Sequence, residues 1–281
     1  MMNLLRILIA ILIAVLLSSC TDVVDIEVQS SQSRLTIEAS LDWEKGTLGN
    51  EQTIKLSSST DYYDTSTNTS VTGASVKVAN DNSGVEFLFT DQNNGNYTTS
   101  SFVPVVNQSY TLTVDYNGET FTATETLMPV VDISELSQST EEGFSDDVLE
   151  VNIAFEDPVE EENYYLIKLK ERGDLLVELF DVDDEFTNGN EIKLFYEKEE
   201  DTDTNTMEFE QGDIVDVELL GISEVYYDFI GILIAQNEDS GPFGTTPVAL
   251  KGNCINVTTP NNYAYGYFRL TQVVKETYTF E

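Results

Sequence analysis

Two runs of alternating apolar and polar residues meet at Asn117-Gly118: SYTLTVDY before it and ETFTATET after it. Asn-Gly is the preferred dipeptide of a two-residue type I′ turn, because both central residues take positive φ. A loop that short fixes the register, setting Val114 opposite Phe121 and Leu112 opposite Ala123. One face is then apolar and threonine dominates the other. Residues 109–126 are expected as an antiparallel hairpin with one dry face.

The same period of two recurs along the chain. Leu35, Ile37, Ala39 and Leu41 alternate in RLTIEASLDW, and Asn82-Ser83-Gly84 and Asn93-Asn94-Gly95 punctuate residues 71–99. Strands at roughly ten-residue spacing with Gly/Asn turns indicate a sandwich or barrel. The order GA-V-V, G, T-D-NG-Y, Y-L-V, G resembles the prealbumin-like or immunoglobulin-like modules of bacterial surface proteins. A first β-sandwich domain is expected over 33–130. The polar, Ser/Glu-rich residues 131–147 are expected as a linker.

A second, antiparallel β-rich domain is expected over 148–281. Leu149, Val151, Ile153 and Phe155 alternate, as do Tyr165, Ile167 and Leu169 with Lys168 and Lys170 on the other face. LLVELF, EIKLFYEKEE and TMEFEQGDIVDVELLGI continue the pattern. One segment breaks it. In SEVYYDFIGILIAQNED, Val225, Tyr226, Phe229, Ile232 or Leu233, and Gln236 recur every three to four residues, with Ser223 as N-cap and Glu224 in the first turn. The period predicts an amphipathic helix near 223–237; a buried strand in FIGILIA is the alternative.

Charge and composition exclude several kinds of chemistry. A net charge of −38 repels nucleic acid and anionic headgroups. With no histidine, the commonest general base and the usual Ser–His, Cys–His and zinc-hydrolase arrangements are absent. Among 51 acids, neighbouring carboxylates are inevitable, so pairs of them do not mark a glycosidase. DVDDEFTNGNE (residues 181–191) and DTDTNTMEFEQG (201–212) begin like calcium loops. Phe186 and Thr206 stand where the sixth-position glycine belongs, and neither segment has glutamate at the twelfth position. They are read as solvated acidic loops. No catalytic, cofactor or metal residue is assigned, and a non-enzymatic protein is expected.

Tyrosine is plentiful, with clusters at Tyr62-Tyr63, Tyr164-Tyr165, Tyr226-Tyr227 and Tyr263-Tyr265-Tyr267. They are read as packing over a core edge, with an interaction surface as the sharper alternative.

The first residues read as an address. Arg6 precedes an apolar run over 7–17, shorter than the roughly 20 residues a spanning helix needs. This is the layout of a secretory signal over 1–19. Leu17-Ser18-Ser19-Cys20 resembles the bacterial lipobox, which implies cleavage by signal peptidase II between Ser19 and Cys20 and lipid attachment at Cys20. Asp22, Asp25 and Glu27 follow, in an acidic tether over 20–32 that resembles the export tag of surface lipoproteins in Bacteroidota. With Cys20 lipidated, the second and last cysteine, Cys254, has no partner in the chain, and it is read as buried and inert.

The most distinctive stretch is GNCINVTTPNNYAYGYF (residues 252–268), where Gly252 and Gly266 permit close backbone approach or positive φ and Pro260 begins a turn. With DDEFTNGNEI, GDIVDVELLGISEVYYDFI, RLTIEASL and the 71–126 block, it resembles the Bacteroidota lipoprotein family called domain of unknown function 4249. Cys254 and Tyr265 depart from the apolar residues expected there. The resemblance implies a lipoprotein encoded beside a TonB-dependent outer-membrane transporter, and it brings no catalytic residues.

The expectation is therefore a lipid-anchored outer-membrane protein on the extracellular face. It contacts the membrane through Cys20, has a TonB-dependent transporter as partner, and acts as a non-catalytic accessory in ligand uptake. The alternatives are a free-standing adhesin or structural surface module and, third, a carboxylate-dependent hydrolase.

Overall fold

The computed structural model describes residues 32–61, 64, 66–143, 145, 148–159, 161–185, 187–198, 207–238 and 249–281. Ser19, Cys20, the acidic tether up to residue 31, Tyr62, Tyr63, Phe186 and residues 201–206 lie outside them. The strands are β1 (Leu35–Glu44), β2 (Gln52–Ser58), β3 (Ser75–Asn80), β4 (Glu86–Asp91), β5 (Asn96–Thr99), β6 (Ser109–Tyr116) and β7 (Glu119–Met128) in the first half. The second half holds β8 (Ile133–Ser139), β9 (Glu150–Glu156), β10 (Tyr164–Glu171), β11 (Glu178–Asp183), β12 (Glu191–Glu197), β13 (Ile214–Ile222), β14 (Ile255–Asn256) and β15 (Tyr265–Thr279), with helix α1 (Glu224–Glu238) after β13. The fold is mainly β and sandwich-like, with one helix among the described residues.

The β6–β7 hairpin has the register its turn dictates. Val114 faces Phe121 and Leu112 faces Ala123, with Asn117 at φ 51° and Gly118 at φ 79°. From β7 the strands run β6, β3, β4, β5, β2 and β1 to β15, and β15 closes the ring by pairing Leu270 with Leu127 of β7. Inside lie Leu35, Ile37, Ala39 and Leu41 of β1, Val114 and Phe121 of the hairpin, and Tyr97 and Phe102. Tyr97 is fully buried because its hydroxyl is satisfied: it donates to the Val71 carbonyl at 3.1 Å and accepts from the Ala74 N–H at 3.1 Å.

The two expected domains share one strand. The first part of β15 pairs parallel to β1, from Thr36 opposite Tyr265 to Glu44 opposite Val273. Its last residues pair antiparallel to β13, which carries β10 and β11 outward. The second half is therefore not a self-contained antiparallel unit: its final strand completes the first ring, and Ser33–Glu281 forms one compact body. Part of the expected linker is also a strand, since β8 pairs with β9. Only Ile133 of β8 is buried, so the strand is held by its backbone pairing and leaves no apolar alternation to read.

The sheet β12-β9-β8 packs its inner face on β10 and β13, burying Val151, Ile153 and Phe155 against Tyr165, Ile167, Val217 and Leu219. On the opposite face of β10 and β13, α1 covers Leu166, Leu220 and Ile222 with Tyr226 and Ile230. The Ser223 hydroxyl caps the helix by accepting from the Tyr226 N–H at 3.2 Å, as the sequence predicts. The packing face overlaps the predicted one at Tyr226 and Phe229 and is otherwise rotated from it. Val225, Ile232 and Leu233 are 64%, 44% and 40% exposed, because the helix is apolar over more than one face and Tyr226 and Ile230 take the sheet.

Gly252 and Gly266 are required where they stand. At φ 73°, a β-carbon on Gly252 would lie 1.6 Å from the Gly266 carbonyl oxygen. One on Gly266, at φ 88°, would lie 2.1 Å from that of Ile37. Three backbones are stacked there without side chains between them, bringing β14 and its flanks onto the start of β15.

Candidate ligand groove and acidic cleft

The outer face of the β12-β9-β8 sheet is concave. Asn152 and Ala154 of β9 form its floor, flanked by Ser137 and Ser139 of β8 and by Lys193 and Phe195 of β12, around about 460 Å³ of open volume. Ala154, Ser137 and Ser139 are short and leave space that the longer Lys193 and Phe195 border on one side. Small-molecule sites span roughly 300–1,000 Å³. One end is anchored by Glu150, which is fully buried. Its Oε1 accepts from the Ser139 hydroxyl and from the N–H groups of Glu141 (3.2 Å) and Glu142 (2.8 Å). The Ser139 oxygen in turn accepts from Asn152 Nδ2 at 2.8 Å. This chain fixes the hydroxyl and carboxamide that face the groove. Over a partly apolar floor, such fixed polar groups and one ammonium suit recognition of a polar ligand.

A second concavity, of about 390 Å³, lies beside the start of α1 and is lined by Glu162, Asp183, Asp184, Glu185, Glu224 and Asp228 together with Tyr164, Asn188 and Tyr227. Asp183, Asp184, Glu185 and Asn188 come from the first of the calcium-loop-like segments. Its carboxylates point to different partners. Asp181 lies against Gly231 of α1, Asp183 accepts from Tyr227 Oη at 2.8 Å and from the Glu185 N–H at 3.0 Å, and Asp184 turns inward to accept from the Asn163 N–H at 2.9 Å. Among the described residues no three His, Cys, Asp or Glu side chains converge on a metal-sized point. Asp184 is 2% exposed, and burial, followed by the neighbouring Asp157, pushes its carboxyl above the ordinary aspartate value. Asp157 is itself held by Tyr165 Oη at 2.7 Å and the Gly189 N–H at 3.0 Å.

The tyrosine clusters divide between core and surface. Tyr164 and Tyr227 pack with ring centroids 5.1 Å apart at the edge of the acidic cleft, and Tyr226 meets Tyr267 edge-on at 4.8 Å beneath the helix. Sequence spacing alone does not bring these pairs together, because they join β10 and β15 to α1. Tyr263 carries Arg34 on its ring at 3.8 Å. Cys254 is buried, and burial pushes its thiol up to about 12. Among the described residues no helix is long and apolar enough to cross a membrane.

Among solved structures, the chain is similar to the FN1–FN3 domains of chicken CNTN1 at 13% identity and a TM-score of 0.26, covering 66% of this chain and 57% of that one. Two fibronectin type-III domains of chicken tenascin align at 10% identity and 0.21, covering 61% and 85%. A DUF4785 family protein from Legionella pneumophila aligns at 11% and 0.24, covering 69% and 53%. The chain thus spans little more than half the length of the first and third of these. No curated protein matches the sequence. A family-wide sequence pattern matches residues 21–277, and by it the chain belongs to the family described as domain of unknown function DUF4249.

Proposed function

We propose that the protein is a lipid-anchored, surface-exposed outer-membrane lipoprotein that acts as a non-catalytic ligand-binding accessory of a TonB-dependent uptake system. The observation that carries this reading is Leu17-Ser18-Ser19-Cys20 followed at once by Asp22, Asp25 and Glu27. Acyl chains on Cys20 would hold the protein to a membrane at about 0.8 kcal/mol per buried CH₂, without a spanning segment. The groove over β9 supplies a surface of ligand size with fixed polar groups and a partly apolar floor. Membership of the DUF4249 family supports the lipoprotein reading through the resemblance noted above.

Metabolic labelling with an alkyne palmitate tests the anchor, and affinity purification from detergent-solubilised membranes tests the partner. Label should enter the parent and not Cys20→Ala, intact cells should lose the protein to added protease, and a TonB-dependent transporter should co-purify. Unlabelled protein, or repeated recovery of the lipoprotein alone, would overturn the anchor or the partnership respectively.

A further inference from the structure

Helix α1 has a second apolar stripe whose large side chains stay partly exposed. Val225, Phe229 and Ile232 follow the helical period, with Leu233 beside them. Val225, Ile232 and Leu233 are among the exposed large apolar residues, while Phe229 is shared with the tyrosine cluster below. Neighbouring exposed apolar side chains rimmed by polar residues mark an interaction surface. Along one flank of the stripe run Glu224 and Asp228, and beyond them lies the acidic cleft with Glu162, Asp183 and Glu185; none of the cleft's lining residues is Lys or Arg.

These neighbours define the occupant. A second copy of the chain would bring a further net charge of −38 against the same rim, and an anionic membrane surface would be repelled in the same way. Apolar contact beside an uncompensated acidic border calls for apolar side chains bordered by Lys or Arg. We propose that the exposed stripe of α1 and the acidic cleft beside it form one docking surface for a partner protein that presents an apolar patch edged with basic residues. The stripe supplies contact area, and the acidic rim supplies orientation and a salt-dependent association rate. The inference stands whether or not the lipid anchor is present.

Photocrosslinking of the full chain in its own cells tests it. A benzoyl-phenylalanine placed at Ile232 or Val225 should yield an adduct with another protein, while one at Leu88, which is 67% exposed on β4, should not. The crosslinked partner peptide, read by mass spectrometry, should place Lys or Arg beside apolar residues. Reversing the rim with Glu162→Lys and Asp228→Lys should lower the adduct yield roughly tenfold or more, since like charges face each other across the contact. Both residues are exposed, so unchanged thermal unfolding checks that the fold is kept. Absence of an adduct, a crosslink within the chain to residues 239–248, an adduct with a second copy or with lipid, or a yield indifferent to charge reversal would each overturn the proposal.

Discussion

Arg269 of β15 and Asp42 of β1 are paired across the boundary between the first and last strands, Nη1 to Oδ1 at 2.6 Å, with the arginine side chain only 5% exposed. That close approach is not aligned as a hydrogen bond; the aligned one runs from Nη2 to Oδ2 at 3.3 Å. Tyr226 of α1 lies over the guanidinium at 5.3 Å. Burial works against the arginine's charge, and Asp42 and then Tyr226 more than offset it. The pair therefore ties the two halves of the chain to each other and to the helix above them.

Removing the acid alone strands a buried cation. Asp42→Ala is expected to cost about 3 kcal/mol, the low end for a broken buried pair because Asp42 keeps some contact with water. Lys168→Ala removes a partner 3.9 Å from the same carboxylate, and is expected to cost less than about 1 kcal/mol. Urea unfolding of the two variants measures the contrast; equal costs would show that Arg269 does not depend on Asp42.

The stacked glycines make a sharper prediction. Gly266→Ala combines positive φ with a β-carbon driven into the Ile37 carbonyl, and is expected to cost about 3 kcal/mol or more. Gly118→Ala, also at positive φ but with open space around it, is expected to cost only about 1 kcal/mol. Thermal unfolding midpoints separate the two, and comparable losses would mean that the crossing of backbones adds nothing.

What the sequence disclosed was what local pattern can carry. Ile37, Leu41, Val114 and Phe121 are buried because period-two alternation and an Asn-Gly turn leave them no other face. The parallel pairing of β1 with β15 has no local signature, since it joins segments at opposite ends of the chain. β8 was hidden for another reason: ISELSQS has almost no buried face. In α1 the difficulty was excess. The helical period groups Tyr226 and Phe229 with Val225 and Ile232, and only the sheet beneath selects Tyr226 and Ile230 as the buried pair. The groove went unread because Ser137, Ser139, Asn152 and Lys193 look like any wet strand face until β8 and β12 flank β9.

Asp184 gives the fold a pH dependence with a definite sign. Its carboxyl lies above the ordinary value of 3.8 when folded, through burial first and Asp157 second. As pH rises past 3.8, the unfolded chain releases this proton before the folded one does, so stability falls until the folded carboxyl has also ionised. Asp184→Asn keeps an acceptor for the Asn163 N–H and removes the titration. The variant should match the parent below pH 3.8 and exceed it at pH 7, as read by denaturant unfolding at both values. A variant less stable than the parent at pH 7 would mean that the ionised carboxylate is favourable where it sits.

Cys254 offers the last test, because burial makes the chemistry of a thiol a probe of the core. It stands two residues after Gly252, with Sγ 3.8 Å from Asn253 Oδ1, and burial holds its thiol at about 12. Thiolate, the reactive form, is therefore scarce at neutral pH, and reagent has no path to it. In the Cys20→Ala protein, where Cys254 is the sole cysteine, iodoacetamide should leave the folded chain unmodified at pH 8 and alkylate it in denaturant. In Gly252→Ala/Cys20→Ala, where the backbone crossing beside Cys254 is forced apart, alkylation under native conditions should rise with the population of open molecules. Rapid native labelling of the Cys20→Ala protein would place the thiol at the surface and overturn the packing described for β14 and β15.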